Sequence, residues 1–196
     1  MRTQKARHTI KENFSFFKSW ARSPRTTGSI IPSTSSIGHT MGGYINLERD
    51  GYIVEIGAGT GALTQGLLKS GIHYKRIILV ELNKNLVKHL NRKFPDVLVI
   101  HGDAQKLEEL LPEHIKKDVQ AIVSGLPFVS LPKKISYNIL QAIEKLLPEK
   151  GIFLQFTYRP WKSPLKSANF IGERIGREFF NFPPAAIWSY RKKENS

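Results

Sequence analysis

The stretch from Tyr52 to Ala62, YIVEIGAGTGA, constrains the fold of this chain more than any other. Its apolar start, which ends in Glu55-Ile56, has the composition of a buried strand, and glycines follow at alternate positions. Leu63, Leu67 and Leu68 then recur at helical spacing. Glycines allow a sharp turn and let a ligand touch the main chain, while the start of a helix offers unpaired N–H groups. The stretch therefore predicts a strand, a tight turn and a helix that together bind a nucleotide-type ligand.

Two ligands fit such a turn. The pattern Gly57-x-Gly59-x-x-Ala62 satisfies the loose dinucleotide fingerprint. The pattern Glu55-x-Gly57-x-Gly59-x-Gly61 fits the loop that binds S-adenosylmethionine in methyltransferases. The acid favours the second ligand, because a carboxylate suits the methionyl ammonium group and repels a pyrophosphate. We therefore expect S-adenosylmethionine as cofactor and S-adenosylhomocysteine as product, with contacts from Glu55, Gly57, Ala58, Gly59 and Gly61.

Two later strands also end near acids that suit this cofactor. The second predicted strand, Ile77 to Glu81, ends in an acid placed where it can bind both ribose hydroxyl groups. The third, Val97 to Ile100, is followed by Asp103, which can accept a hydrogen bond from an adenine amino group, cap the next helix, or do both. We predict that Glu81, Leu82, Asp103 and Ala104 complete the cofactor site.

Composition limits the setting in which this site works. A length of 196 residues with 40% hydrophobic residues suits one α/β core. The net charge of +14 points to a polyanionic partner, either nucleic acid or an anionic membrane. The sequence has no cysteine, which excludes disulfides and thiolate metal sites, and no metal is predicted. No apolar run approaches the roughly 20 residues that a membrane span requires.

Residues 1–47 are predicted to form an N-terminal segment, and residues 48–196 the cofactor-binding domain. Apolar residues recur from Ile10 to Trp20 at helical spacing, with basic residues beside them. Such an amphipathic helix suits the surface of an anionic membrane, and packing on its own domain is the alternative. The predicted membrane contacts are Lys11, Phe14, Phe17, Lys18, Trp20 and Arg22. A weaker helix, expected from about Ser35 to Leu47, is interpreted as a lid over the cofactor.

The remaining chain alternates between strands and helices. A fourth strand, Val119 to Val123, precedes Ser124-Gly125-Leu126-Pro127, and a fifth is expected at Gly151 to Phe156. An irregular basic segment is expected from Thr157 to Arg177, and a closing hairpin from Glu178 to Tyr190. This order predicts an α/β, Rossmann-like fold with a seven-stranded, mostly parallel sheet that ends in an antiparallel hairpin.

Together these motifs resemble class I S-adenosylmethionine-dependent methyltransferases, and two families share the whole set. The rRNA adenine dimethyltransferases carry Asn-Leu-Pro-Tyr after the fourth strand. The soluble, membrane-associated phosphatidylethanolamine N-methyltransferases of bacteria carry Ser-Gly-Leu-Pro, as this chain does from Ser124 to Pro127. Gly125 has no side-chain carbonyl to accept from an adenine amine. The chain also resembles the lipid family at Arg25, Gly28, Pro32 and Ser33, and in the turn from Asn181 to Ala185.

The resemblance implies stepwise methylation of phosphatidylethanolamine towards phosphatidylcholine, on the inner face of the bacterial cytoplasmic membrane. The expected partner is an anionic phospholipid surface rather than nucleic acid, with no obligate protein partner. From their location, the candidate catalytic residues are Ser124, Gly125, Leu126, Pro127, Tyr158 and His39. Gly125→Asn is expected to crowd the lipid amine while leaving cofactor affinity little changed. An RNA methyltransferase, an NAD-binding module and a non-catalytic lipid-binding protein are the alternatives.

Overall fold

The computed structural model describes residues 30–158, 163, 165, 169–178 and 185–193. The chain divides into two units, Met1–Ile31 and Pro32–Ser196, and the cofactor motif lies in the second. The predicted N-terminal amphipathic helix and all of its proposed membrane contacts fall outside the described residues. Within the described ranges, every helix is too short or too polar to span a bilayer.

The described chain alternates between helices and strands. The helices are α1 (Ile30–Gly42), α2 (Ala62–Lys69), α3 (Lys84–Lys93), α4 (Leu107–Leu110), α5 (Glu113–Lys116) and α6 (Lys133–Leu146). The strands are β1 (Tyr52–Ile56), β2 (Ile77–Glu81), β3 (Leu98–His101), β4 (Val119–Ser124), β5 (Ile152–Thr157), β6 (Phe170–Glu178) and β7 (Ala185–Lys192).

These strands form one seven-stranded sheet in the order β3-β2-β1-β4-β5-β7-β6. Strands β1 to β5 run parallel, and β7 lies antiparallel between β5 and β6. The chain runs outward from β1 through β2 to β3 and then returns to place β4 on the other side of β1. The carboxyl ends of β1 and β4 therefore flank the position at which doubly wound sheets bind ligands. The predicted α/β fold, with its mostly parallel sheet and terminal antiparallel hairpin, is confirmed.

The central strands are apolar because helices cover both faces of the sheet. Every residue of β2 and β4 is buried, which explains their near-continuous hydrophobic runs. One face packs on α1 and α2 through a cluster that includes Ile37, Met41 and Leu67. Phe153 of β5 packs against Phe128 in the loop after β4, Phe170 of β6 and Tyr190 of β7.

The outermost strand β6 corrects the prediction of an irregular segment from Thr157 to Arg177. Phe170–Glu178 pairs with β7 along its length, with a register shift between Arg174 and Gly176. The predicted hairpin begins at Glu178, where this strand in fact ends. An edge strand with exposed residues at 171–174 lacks the apolar run that marks the central strands, so its sequence carried no strand signal.

Helix α1 begins and ends earlier than the predicted Ser35 to Leu47, so Pro32 lies in its first turn rather than before it. Glycines inside a helix ordinarily weaken it, and α1 contains Gly38 and Gly42. A Cβ on Gly38 would strike the Leu63 carbonyl oxygen of α2, and one on Gly42 would strike the Ser70 side chain. These glycines instead allow α1 to pack with its backbone close to α2.

Arg76 joins the loop before β1 to the amino ends of the strands. Its guanidinium donates to the carbonyl oxygens of Leu47, Arg49 and Gly51 and to Oε1 of buried Gln120. This side chain therefore replaces backbone pairing that an irregular loop cannot make for itself.

Arg76→Met is expected to lower the free energy of unfolding by about 2–3 kcal/mol, because three carbonyl oxygens and the Oε1 of buried Gln120 lose the donor that Arg76 supplies. Arg49→Met is the matched control, since within the described ranges the Arg49 side chain makes one hydrogen bond, to the Lys150 carbonyl. It should change the unfolding free energy by less than about 0.5 kcal/mol. Urea unfolding measures both, and equal losses would mean that the Arg76 contacts contribute no special stability.

Candidate active site

The turn after β1 has a left-handed backbone at each of its three glycines. The φ angle is +70° at Gly57, +59° at Gly59 and +74° at Gly61, a region that residues with a Cβ rarely adopt. A Cβ on Gly57 would strike the Leu126 side chain. One on Gly59 would meet no atom of the described part of the chain closer than the Gly57 carbonyl oxygen, at 4.0 Å. The turn thus packs tightly against the β4 loop and leaves free space beside Gly59, where a ligand can approach the main chain.

Glu55 lies fully buried on β1, directly before this turn. Its Oε2 accepts a hydrogen bond from Thr64 Oγ1 at 2.7 Å, and its Oε1 has no hydrogen-bond partner among the described residues. Burial raises the pKa of the carboxyl to about 8; Thr64 and Lys93 act against this shift and Glu81 adds to it. A buried carboxylate oxygen without a donor is an open acceptor for a cation, which fits the predicted contact with a methionyl ammonium group.

Glu81, the last residue of β2, turns its carboxylate towards the same turn. Its Oε2 accepts from the Gly59 N–H at 2.9 Å and its Oε1 accepts from the Asn83 N–H at 2.8 Å. A carboxylate has about four acceptor positions. Both oxygens therefore keep capacity for ribose hydroxyl groups while the backbone fixes their orientation. The adjacent Leu82 carbonyl lies 3.0 Å from His101 Nε2.

Asp103 caps the short turn from Ala104 to Lys106. Its Oδ1 accepts from the Gln105 N–H and its Oδ2 from Gln105 Nε2, both at 2.9 Å. Asn138 on α6 in turn donates to Gln105 Oε1 at 2.8 Å. The capping role is confirmed, while contact of Asp103 and Ala104 with an adenine stays a prediction.

Lys93 also reaches the glycine turn, and sequence reasoning missed it. Its Nζ donates to the Thr60 carbonyl oxygen at 2.9 Å and lies 5.1 Å from the centroid of the Phe94 ring. Burial lowers the pKa of Lys93, and the charge of Glu55 acts in the opposite direction. An acid, Glu55, and a base, Lys93, therefore lie beside the turn. They match the ammonium group and the carboxylate of a methionyl group.

The loop from Ser124 to Pro127 is held by its own hydrogen bonds. Ser124 is fully buried, and its Oγ accepts from the Leu126 N–H at 3.1 Å. The Leu126 carbonyl accepts from Gln155 Nε2 and from the Phe128 N–H, both at 3.0 Å. The Pro127 carbonyl accepts from two further backbone N–H groups. Sequence reasoning missed Gln155, which holds this loop from the neighbouring strand.

Gly125 joins that loop to the glycine turn. Its N–H donates to the Ile56 carbonyl at 3.1 Å, and a Cβ at this position would lie 2.8 Å from the Gly57 carbonyl oxygen. A side chain there would push on Gly57, which argues against the expectation that Gly125→Asn leaves cofactor affinity little changed; that expectation stays a prediction. Among the described residues, no hydrogen bond reaches the Gly125 carbonyl oxygen, which leaves it as the acceptor that this loop can offer a substrate.

The two remaining candidates, His39 and Tyr158, lie apart from this network. His39 is exposed on α1 beside Gly66, more than one turn of α2 beyond Gly61. Tyr158 follows β5, where its ring packs edge-on against Phe156 with 5.6 Å between ring centroids. Burial raises the pKa of the Tyr158 hydroxyl, and Thr34 on α1 acts in the opposite direction. Their catalytic roles stay predictions.

The sheet order, the glycine turn and the acids beside it define a class I S-adenosylmethionine-dependent methyltransferase. A solved structure with a similar fold is the 1,6-didemethyltoxoflavin-N1-methyltransferase of Burkholderia thailandensis, with bound 1,6-didemethyltoxoflavin and S-adenosylhomocysteine. The two share a TM-score of 0.64 and 16% sequence identity, over 97% of this chain and 90% of that one.

The chain belongs to the ribosomal RNA adenine dimethylase family, whose model matches residues 42–158. It is also similar to the ornithine lipid N-methyltransferase of Singulisphaera acidiphila, with 26% identity over 95% of this chain and all of that protein. The ribosomal RNA small subunit methyltransferase A of Malacoplasma penetrans is 34% identical over 50% of this chain. That match covers 34% of the ribosomal enzyme's length, so the chain spans about a third of it.

Proposed function

We propose that this chain is an N-methyltransferase of membrane lipids that converts phosphatidylethanolamine stepwise towards phosphatidylcholine. The observation that carries the proposal is the close contact between Gly125 and the Gly57 carbonyl, which leaves no room for a side-chain amide at this position. An adenine methyltransferase needs such an amide to fix the flat exocyclic amine. A lipid amine is small and mobile, so a backbone carbonyl is sufficient to receive it.

Cofactor binding in this proposal uses the groups that the fold leaves open. Glu55 Oε1 receives the methionyl ammonium, Lys93 faces the carboxylate, and Glu81 accepts from the ribose hydroxyl groups. The space beside Gly59 accommodates the part of the cofactor that passes closest to the main chain. When bound, S-adenosylmethionine supplies a sulfonium methyl group that an uncharged amine attacks in line, so that the S–CH₃ bond breaks as the N–CH₃ bond forms.

The loop from Ser124 to Pro127, which we call the acceptor loop, then has to orient an amine rather than activate it. The lipid ammonium loses a proton to water before each transfer. In the first two transfers the Gly125 carbonyl accepts one N–H of the resulting primary or secondary amine. The tertiary amine of the third transfer has no N–H, so only the shape of the pocket positions it. Gln155 and Ser124 hold the loop in the conformation that presents this carbonyl. Positioning and exclusion of water supply most of the acceleration in such a transfer.

The similarity to an ornithine lipid N-methyltransferase supports a lipid acceptor more broadly than phosphatidylethanolamine alone. Ornithine carries a terminal amine, which the same carbonyl can receive. The family membership and the charge of +14 instead favour an RNA acceptor. An assay therefore has to distinguish which amine accepts the methyl group.

We expect labelled S-adenosylmethionine to transfer its methyl group to phosphatidylethanolamine in anionic vesicles, with the mono-, di- and trimethylated lipids appearing in that order. Parallel reactions contain ornithine lipid vesicles and unmodified small-subunit rRNA, and label is counted in extracted lipid and in RNA. Label in ornithine lipid alone would correct the acceptor. Label in RNA alone would overturn lipid methylation, and label in neither would favour a non-catalytic lipid-binding protein.

The partner in this proposal is an anionic phospholipid surface on the inner face of the bacterial cytoplasmic membrane. The amphipathic pattern from Ile10 to Trp20 supports it, as does the excess of basic residues over the whole chain. Phe17 and Trp20 enter the interface in this proposal, and Lys11, Lys18 and Arg22 meet the lipid phosphates.

A further inference from the structure

We propose that the surface formed by Val129, Lys133, Lys134 and Tyr137 docks on anionic phospholipid membranes and brings the acceptor loop to the lipid head groups. This 129–137 surface is separate from the predicted N-terminal helix. The inference rests on the proposed lipid activity and specifies which face of the catalytic domain meets the bilayer.

All four side chains are exposed, although Val129 is apolar and Tyr137 is aromatic. Tyr137 is 61% exposed and Val129 is 44% exposed, which places both among the exposed large hydrophobic residues of the described chain. Lys133 and Lys134 are exposed in the first turn of α6. Residues three and four apart lie on one face of a helix, so both lysines lie on the same face as Tyr137. Neighbouring Ile135 and Ile139 are buried, so α6 has an opposite face that packs on the domain.

The 129–137 surface forms the rim of the acceptor loop. Val129 follows Pro127 by two residues, and two residues span at most about 7 Å. Phe128 is buried against Phe153 with 6.3 Å between ring centroids, which fixes the chain between the loop and the surface. The Phe128 carbonyl accepts from Ser136 Oγ at 3.4 Å, which holds the loop against the first turns of α6. The surface and the acceptor loop are therefore linked through Phe128.

The chemistry of the acceptor requires a membrane contact at this rim. In an ethanolamine head group the amine lies within roughly 5 Å of the phosphorus, because only two carbons and one oxygen separate them. The acyl chains keep the lipid in the bilayer. The amine can therefore reach the Gly125 carbonyl only if the protein surface beside that carbonyl lies in the head-group layer.

The charge and shape of the surface fit an anionic bilayer. Residues 125–143 contain two lysines and no aspartate or glutamate. Lysine side chains extend their charge to lipid phosphates while their stems cover apolar groups. Tyrosine is favoured at the membrane interface, where its ring is apolar at one end and polar at the other. The exposed Val129 favours lipid over RNA, because RNA phosphates give an aliphatic side chain nothing to bury against.

Lys133→Gln/Lys134→Gln in the full chain is expected to lower partitioning onto phosphatidylglycerol-containing vesicles by about 30-fold at low salt, since two basic contacts are lost. The matched control is Lys192→Gln/Lys193→Gln. It removes the same charge at the end of β7, which pairs with the amino-terminal end of β5 and so lies at the opposite edge of the sheet from the acceptor loop. Val129→Ser/Tyr137→Ser should weaken binding in a manner that salt does not change. Flotation measures partitioning for all three.

Methylation of a short-chain, water-soluble phosphatidylethanolamine separates docking from catalysis. The Lys133/Lys134 variant should methylate that lipid at the wild-type rate and lose activity only on vesicles. Vesicle binding and vesicle activity equal to those of the Lys192/Lys193 control would overturn the docking surface while leaving lipid methylation intact. Absence of methylation of both lipids by the wild-type chain would instead remove the proposed function on which the inference rests. Lower affinity of the Lys133/Lys134 variant for rRNA, with unchanged vesicle binding, would assign the surface to RNA.

Discussion

Gly59→Val is expected to lower the affinity of the chain for S-adenosylmethionine by at least about 100-fold, which corresponds to about 2.7 kcal/mol. Among the described residues, a Cβ at this position meets no atom closer than 4.0 Å, so we expect the valine side chain to occupy the space that the cofactor needs. The left-handed φ of +59° adds backbone strain of about 1–2 kcal/mol. Calorimetry measures the affinity for S-adenosylmethionine and S-adenosylhomocysteine, and the same titration with NAD should show no binding to the wild-type chain.

The control for strain is Gly71→Val. Gly71 also has a left-handed backbone, with φ of +97°, and its nearest contact for a Cβ is Leu47 Cδ1 at 3.4 Å. It lies in the loop between α2 and β2, beyond the end of α2 that faces away from the glycine turn. The two variants should therefore lose similar thermal stability, while only Gly59→Val loses the cofactor. Equal affinity losses would show that strain alone explains the effect, and equal NAD binding would overturn the choice of cofactor.

Binding of S-adenosylmethionine is expected to release a proton from Glu55. In the folded chain burial raises the pKa of this carboxyl to about 8, so Glu55 is mostly protonated at neutral pH. An ammonium group beside Oε1 stabilises the carboxylate and lowers the pKa in the complex. Cofactor affinity should therefore rise by up to about tenfold per pH unit up to about pH 8, where the free carboxyl is already ionised.

Calorimetry in buffers with different enthalpies of ionisation measures the released proton directly. Glu55→Gln keeps an acceptor for the Thr64 hydroxyl but carries no titrating proton, so its affinity should be lower and independent of pH over this range. A wild-type affinity that does not change with pH would contradict the ionised pairing between Glu55 and the cofactor.

The same group links stability to pH with a defined sign. The folded pKa lies above the unfolded value of 4.5, so the unfolded chain releases its proton first as the pH rises. The stability of the cofactor-free protein should therefore fall between about pH 4.5 and pH 8. Glu55→Gln should be more stable than the wild type by a few kcal/mol near pH 8, with a small difference near pH 4. The burial that prepares Glu55 for the cofactor thus has a cost in the absence of the cofactor.

Local sequence patterns predicted the glycine turn and the acids at the ends of β1 and β2 well. The glycines at 57, 59 and 61 predicted a tight turn, and the structure contains that turn with a left-handed backbone at each of them. Apolar runs ending in Glu55 and Glu81 placed both carboxylates at the carboxyl ends of adjacent strands. These features depend on neighbours along the chain, which a sequence displays directly.

The parts that sequence reasoning missed depend on contacts between distant residues. Gln155 holds the Leu126 carbonyl across 29 positions of the chain, and Lys93 reaches Thr60 across 33. Gly125 was interpreted as space for a lipid amine, but its absent side chain also lets the Gly57 carbonyl approach. Strand β6 was missed because an edge strand with exposed residues has no apolar run. No spacing rule in the sequence reports any of these contacts.

The Arg76 contacts have a consequence for how the acceptor can change within this fold. They join the irregular loop to the sheet at the amino ends of the strands, whereas the cofactor and acceptor loops occupy the carboxyl ends. Substitutions that alter the acceptor loop therefore leave the Arg76 hydrogen bonds unchanged. Better packing around Arg76, at the opposite end of the strands, can therefore offset a destabilising substitution at position 125 without altering the active site. Under the proposed lipid activity, a few changed loop residues would suit a lipid amine in place of a flat base, while the framework is retained.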